Sequence, residues 1–228
     1  MISLKKSLGF LFIFLTIFSA FLTFKPFTVQ AATALYPNLK TLPPRDLRFD
    51  RTDVSVEGTG NMHNVLRFSN TVYNIGEGRM EMRATIDPST QTGIAYQRVY
   101  NSDGTFTDYQ VGTVYYHPQH MHYHFEDWGQ YQLWTKADYD KWVGSGRTQG
   151  QAKKVGVKTT SCVMDEEFIK KLPLTPWPAA FPSSGCSPDS QNRLIEGLSI
   201  GWGDTYDYYR FEQWIDLDQE TLADGNMF

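Results

Sequence analysis

Four of the five histidines in this 228-residue chain lie within eight positions, at His117, His120, His122 and His124. In an extended strand, residues two apart share a face, so the last three imidazoles project together. The residues between them are Met, Tyr and Phe, which the opposite face can bury. Three nitrogen ligands with open positions suit zinc, copper or nickel, and affinity peaks at copper(II). The pattern therefore predicts a metal site at His120, His122 and His124, with copper favoured over zinc or nickel.

Other readings of these histidines stay open at this point. The strand could be a solvated or pH-responsive face, or a zinc hydrolase site, although no partner nucleophile or general base motif is evident. His117 is off the alternating register, and is either a hydrogen-bond partner of a ligand or a loop histidine. Glu126 and Asp127 either orient the imidazoles or meet solvent. His63, in a Gly/Asn-rich stretch, is expected to be ordinary surface.

The elements that must position this strand are short and alternating. Arg79–Ile86 places apolar and polar residues on opposite faces, as expected of a half-buried strand. Gly, Asn, Asp and Pro recur at spacings suited to antiparallel hairpins. We therefore predict an all-β fold, an antiparallel β-sandwich with long loops and one or two short helices, at Lys136–Val143 and Asp165–Leu172.

The N-terminus predicts export. Lys5 and Lys6 precede an apolar run that closes on Val29-Gln30-Ala31, which is typical of a signal peptide over residues 1–31; a retained anchor is the alternative. We expect a secreted or extracytoplasmic protein with no stable membrane span after cleavage. Residues 32–64 read as an extended lead-in, and residues 65–228 as the main domain.

The composition restricts the classes of partner that the protein can bind and indicates the redox state of its cysteines. Removing the three lysines of residues 1–31 from 21 basic residues leaves 18 against 25 acidic ones, a net charge of −7. Such a surface repels phosphate backbones, so nucleic-acid binding is not expected, and a cationic partner is favoured. In an exported chain the two cysteines, Cys162 and Cys186, most simply form one disulfide, with a free thiol as the alternative.

Three blocks, in order, resemble the lysyl oxidase family: HPQHMHYHFEDWGQYQLW from His117, VGVKTTSCV from Val155 and EGLSIGWGDTYDYYRFEQWIDL from Glu196. The resemblance runs from about Leu66 to Leu217. It implies a copper-dependent amine oxidase that converts primary amines, above all peptidyl lysine, to aldehydes with release of ammonia and hydrogen peroxide. It also implies copper ligation by the three alternating histidines.

The same resemblance implies a self-made organic cofactor, lysine tyrosylquinone, which would join Lys158 to Tyr206. A tyrosine oxidised beside copper and dioxygen becomes an electrophile that a nearby, neutral lysine amine can attack. Asp204, two residues before Tyr206, is the best carboxylate for the catalytic base, the alternative being a turn-forming role. The acidic surface suggests a lysine-rich protein or a polyamine as the amine substrate.

The chain departs from the family's pattern at several points. Ser161 replaces the aromatic residue that precedes the family's cysteine, and the further disulfides of animal members are missing. The family's domain continues beyond the segment matched by Asp224–Asn226, so we expect this domain to be truncated at its C-terminal end. A non-catalytic copper-binding interaction module, with Lys158 and Tyr206 unlinked, is the alternative function.

Overall fold

The computed structural model describes residues 31–55, 58, 60–118, 121–125, 128–158 and 162–218, with the backbone alone at residues 157 and 158. The predicted signal peptide therefore lies, apart from Ala31, outside the described residues. The described elements are strands, one α-helix and one 3₁₀ turn. In chain order they are β1 (Ala34–Leu35), β2 (Leu39–Thr41), β3 (Arg45–Asp53), β4 (Met62–Asn74), β5 (Met80–Thr85), β6 (Thr92–Asn101), β7 (Phe106–His117), β8 (His122–Phe125), β9 (Gly129–Leu133), α1 (Lys136–Gly144), β10 (Lys154–Lys158), β11 (Glu167–Phe168), the 3₁₀ turn (Ser183–Cys186), β12 (Arg193–Leu198), β13 (Trp202–Tyr206) and β14 (Trp214–Asp216).

The predicted all-β, sandwich-like architecture is confirmed. One sheet has the order β12-β5-β6-β7-β8, with β1 pairing with β6, and the other has the order β11-β13-β4-β14, with β2 and β3 also pairing with β4. Strands β9 and β10 form a separate two-stranded sheet. Every strand pair is antiparallel. The pairing of β4 changes along its length, from β3 and β14 at its first half to β2 and β13 at its second.

The main core lies on the inner face of the first sheet. Its buried members come chiefly from alternate positions of β5, β7, β8 and β12, and Val72 of β4 packs against them from the second sheet. On β5, the apolar residues Met80, Met82 and Ala84 are buried, as the alternation predicts. Burying each methionine side chain contributes roughly 1.5–3 kcal/mol. A second cluster, centred on Phe68, Ile215 and Leu217, joins β4 and β14 to the two-stranded sheet.

One predicted helix is confirmed and the other is wrong. Helix α1 begins after Thr135, whose hydroxyl accepts a hydrogen bond from the Asp138 amide. Residues Asp165–Leu172, by contrast, hold the short strand β11, which pairs with β13. Tertiary partners override helix propensity here, because the backbone amide of Glu166 donates to the carbonyl of Gly203 rather than to its own segment.

Residues 32–64 are built into the sheets. They supply β1 to the first sheet and β2 and β3 to the second, and β4 itself crosses position 64. Cys162 and Cys186 form the predicted disulfide, which ties the proline-rich loop to the segment before Val163. Among the described residues no helix is long and apolar enough to cross a lipid bilayer.

Candidate metal and quinone site

The histidines meet across a hairpin. Strand β8 begins only at His122 and runs antiparallel to β7, and the Met121 amide donates to the His117 carbonyl. His117 pairs directly with His122, so both side chains lie on the same face of the sheet. His124 pairs with Tyr115, two residues further along each strand, so its side chain lies on the same face. We call His117, His122 and His124 the histidine hairpin.

The imidazoles of the histidine hairpin are packed closely and largely shielded from water. The rings of His117 and His124 are stacked with centroids 4.5 Å apart, and the Nε2 atoms of His122 and His124 are 3.1 Å apart. His124 is completely buried and His117 nearly so. On the opposite face, Tyr123 and Phe125 pack into the main core, as the alternation predicts. The expectation that Met121 is buried with them is wrong: Met121 precedes β8 and is 77% exposed. A rigid apolar layer therefore holds the imidazole layer in place.

This donor set suits the copper that the sequence predicts. Two nitrogens 3.1 Å apart, each bonded at about 2.0–2.1 Å, subtend an angle of about 100° at a shared ion. The same separation is a hydrogen-bond distance, so one of the two nitrogens would have to give up its proton before both could bind one ion. His120, the third predicted ligand, lies outside the described residues, as do Glu126 and Asp127. His117 is the additional imidazole that the structure brings to this face.

Tyr206 lines a large cavity between β4 and the two-stranded sheet. The cavity has a volume of about 540 Å³, and its wall includes Asn70, Val72, Gly129 and Tyr131. Tyr206 pairs with Asn70 across the β13–β4 ladder, and its side chain is only 3% exposed. Tyr206 is therefore a buried residue in the wall of a partly apolar cavity that is large enough to admit an aliphatic amine chain.

The backbone of Lys158 borders this same cavity wall. Strand β10 runs antiparallel to β9, and Lys158 is paired with Gly129 while Val157 is paired with Gln130. Both Gly129 and Gln130 line the cavity that contains Tyr206. Earlier in β10, Gly156 is held close to β14, since a Cβ at this position would lie 3.2 Å from the Trp214 carbonyl oxygen. The β10 strand is thus fixed beside the cavity by packing on both of its flanks.

Asp204 lies in strand β13, not in a turn. It is 2% exposed and pairs with Val72, so it shares the inward face with Tyr206. The pKa of Tyr131 is raised by burial and also by the negative charge of Asp204, which is therefore nearby. Asp204 is not among the residues that line the cavity, so it lies behind the wall to which Tyr206 and Tyr131 contribute.

Glu196 is a second buried carboxyl group that sequence reasoning missed. It is 1% exposed, and its Oε2 accepts a hydrogen bond from the Val163 amide at 2.9 Å. Burial raises its pKa well above the usual value, and the charge of Asp204 raises it further. The sequence of β12 does not indicate that Glu196 is buried, because a single Glu among apolar residues also fits an exposed position. The only available signal was its place in the third family-like block.

His63 also differs from its expected role. It lies in β4 rather than in a loop, and its Nδ1 is 2.6 Å from Oδ2 of Asp216.

No protein-family model, no curated protein and no solved structure matches this chain. The assignment of a chemistry therefore depends on the residues described above.

Proposed function

We propose that this protein is a copper-dependent amine oxidase that converts primary amines to aldehydes, releasing ammonia and hydrogen peroxide. One observation carries the proposal: Tyr206 lines a cavity whose wall, at Gly129 and Gln130, belongs to the strand paired residue by residue with Lys158 and Val157. The quinone would require the Lys158 side chain to reach from β10 past Gly129 to the cavity that Tyr206 lines.

The histidine hairpin supports the copper part of the proposal. His122 and His124, with the predicted ligand His120, would hold the ion, and His117 would orient His124 through ring stacking. His124 and Gly129 are five residues apart, so their Cα atoms are separated by at most about 18 Å. The proposal requires the ion to lie well within this upper limit, because Tyr206 would be oxidised beside it.

The other residues would bind and orient the amine. Lys158 and Tyr206 would together hold the quinone, which when formed supplies an electrophilic carbonyl for amine oxidation. The apolar wall of the cavity would exclude water from the aliphatic part of the substrate. Asp204 would accept the proton from the carbon next to the amine nitrogen. The net charge of −7 outside residues 1–31 favours a lysine-rich protein or a polyamine over an acidic substrate.

The crosslink is the decisive test. Protein matured with copper in air should absorb visible light, and its digest should contain one peptide that joins Lys158 to Tyr206. Tyr206→Phe and Lys158→Arg should each abolish the colour and the amine-dependent release of peroxide. The matched controls are Tyr209→Phe, at an exposed tyrosine, and Lys153→Arg, at an exposed lysine of the same region; both should behave as the unaltered protein.

The possible outcomes separate the competing functions. Two unmodified peptides after copper loading, from a colourless protein that still binds one copper ion, would refute the oxidase and favour a copper-binding interaction module. A zinc hydrolase would release no peroxide with any primary amine.

A further inference from the structure

A second group of metal-ligating side chains lies where β4 begins and β14 ends. His63 is in β4, Asp216 is the last residue of β14, and Asp218 follows two residues later. The Nδ1 atom of His63 is 2.6 Å from Oδ2 of Asp216 and 3.8 Å from Oδ2 of Asp218. One ligand atom from each residue lies within 4.8 Å of the other two. The ladder between β4 and β14 holds these residues together although they are more than 150 positions apart in the chain.

Both carboxylates are oriented by hydrogen bonds at their other oxygen. Oδ1 of Asp216 accepts from the Asp218 amide at 2.9 Å. Oδ1 of Asp218 accepts from both the amide and the side-chain nitrogen of Asn64, at 3.0 and 2.9 Å. Oδ2 of each aspartate is therefore turned towards His63. Such outer partners fix the orientation of ligating carboxylates in metal sites.

We propose that His63, Asp216 and Asp218 bind a divalent first-row cation, with zinc the best-suited probe. One imidazole nitrogen and two carboxylate oxygens form a donor set that zinc accepts, leaving a fourth position for water. Ligands at about 2.0–2.2 Å in tetrahedral geometry are roughly 3.4 Å apart. The oxygen at 2.6 Å must therefore move out by less than 1 Å, and the oxygen at 3.8 Å must move in by about half an ångström.

The far side of the imidazole is also consistent with a bound cation. Oδ1 of Asn61 is 3.2 Å from Nε2 of His63, so a proton on Nε2 can be donated to it. That tautomer leaves the lone pair on Nδ1 directed at the two aspartates. Two carboxylates also leave the ligand set negatively charged overall even with the positive charge of Arg51, which acts on Asp218.

The competing occupant is a proton. A doubly protonated His63 would donate from Nε2 to Asn61 and from Nδ1 to Asp216, and the group would then be an ordinary ion pair. The two cases differ at Nδ1, which carries a proton in the ion pair and a metal bond in the cation site.

Two measurements on the full chain distinguish these cases. After equilibration with zinc and removal of excess metal, the double variant Asp216→Asn/Asp218→Asn should lose one zinc equivalent per chain. The matched variant His122→Ala/His124→Ala should keep that equivalent, since it alters only the histidine hairpin. An unchanged zinc content in the aspartate variant would overturn the proposal.

The second measurement follows zinc binding in the unaltered protein, so it does not depend on the folding of the two double variants. In a long-range ¹H–¹⁵N spectrum, the His63 signals are identified by their loss in His63→Gln. One equivalent of zinc beyond that bound by the hairpin should shift Nδ1 and leave Nε2 protonated. A His63 ring that stays protonated at both nitrogens with zinc present would refute the site, whatever the result for the quinone.

Discussion

The buried carboxyl group of Glu196 should make the stability of this protein fall as the pH rises. In the folded state burial raises the pKa of Glu196 well above 4.5, its usual value, which the unfolded chain retains. Below pH 4.5 both states are protonated and the group has no effect. Above it, the unfolded chain loses the proton that the folded protein keeps. The free energy of unfolding therefore decreases until the pH reaches the pKa of the folded state.

The size of the effect follows from the proton balance. One proton bound in excess by the folded state lowers the free energy of unfolding by about 1.4 kcal/mol for each pH unit. For a domain of this length, that corresponds to a fall in Tm of about 3 to 6 °C per pH unit. Glu196→Gln removes the titration, while its side-chain carbonyl can still accept the hydrogen bond from the Val163 amide.

The assay is urea unfolding of the metal-free protein and of Glu196→Gln at several pH values from 5 upwards. The stability of the variant relative to the unaltered protein should grow by about 1.4 kcal/mol per pH unit. Glu166→Gln is the matched control, because Glu166 also accepts a backbone amide, that of Thr205 at 3.0 Å, but is exposed to water. If the difference between Glu196→Gln and the unaltered protein does not change with pH, the reasoning about this buried carboxyl group is wrong.

Three further predictions concern stability. Replacing Cys162 and Cys186 by serine should lower the free energy of unfolding by about 3 kcal/mol, because the disulfide spans 24 positions; urea unfolding with and without reductant checks this. Gly197→Ala should cost about 1–3 kcal/mol or more, since the new methyl group would meet the Phe181 ring at 2.7 Å; thermal unfolding that matches the unaltered protein would contradict it. Thr135→Ala should cost about 1 kcal/mol through loss of the N-cap of α1, measured by circular dichroism.

Alternation along single strands predicted which residues of the sheets are buried. It did not predict contacts between residues of different strands. The inward residues of β5 could be read from the sequence because burial follows a period of two. His117 could not be placed in this way. It shares a face with His122 because the two residues pair across the hairpin. The alternation of residues within one strand gives no information about pairing with another strand.

Buried polar groups were the least predictable part of the candidate site. Asp165 is in a segment with helical character, but its carboxylate accepts amides of Ala180, Phe181 and Ser199 from other parts of the chain. These contacts form only in the complete fold, so they cannot be predicted from local secondary-structure propensity. The same holds for Glu196, whose partner Val163 is 33 positions away.

The position of β4 has a consequence for the timing of biosynthesis. This strand lies early in the chain, yet two of its neighbours, β13 and β14, are among the last described elements. Until the ribosome has delivered residues 202–216, one edge of β4 has no native neighbour to bond with. Pairings this distant in sequence close large loops and slow folding. Native assembly of the second sheet must therefore follow, rather than accompany, synthesis of most of the polypeptide.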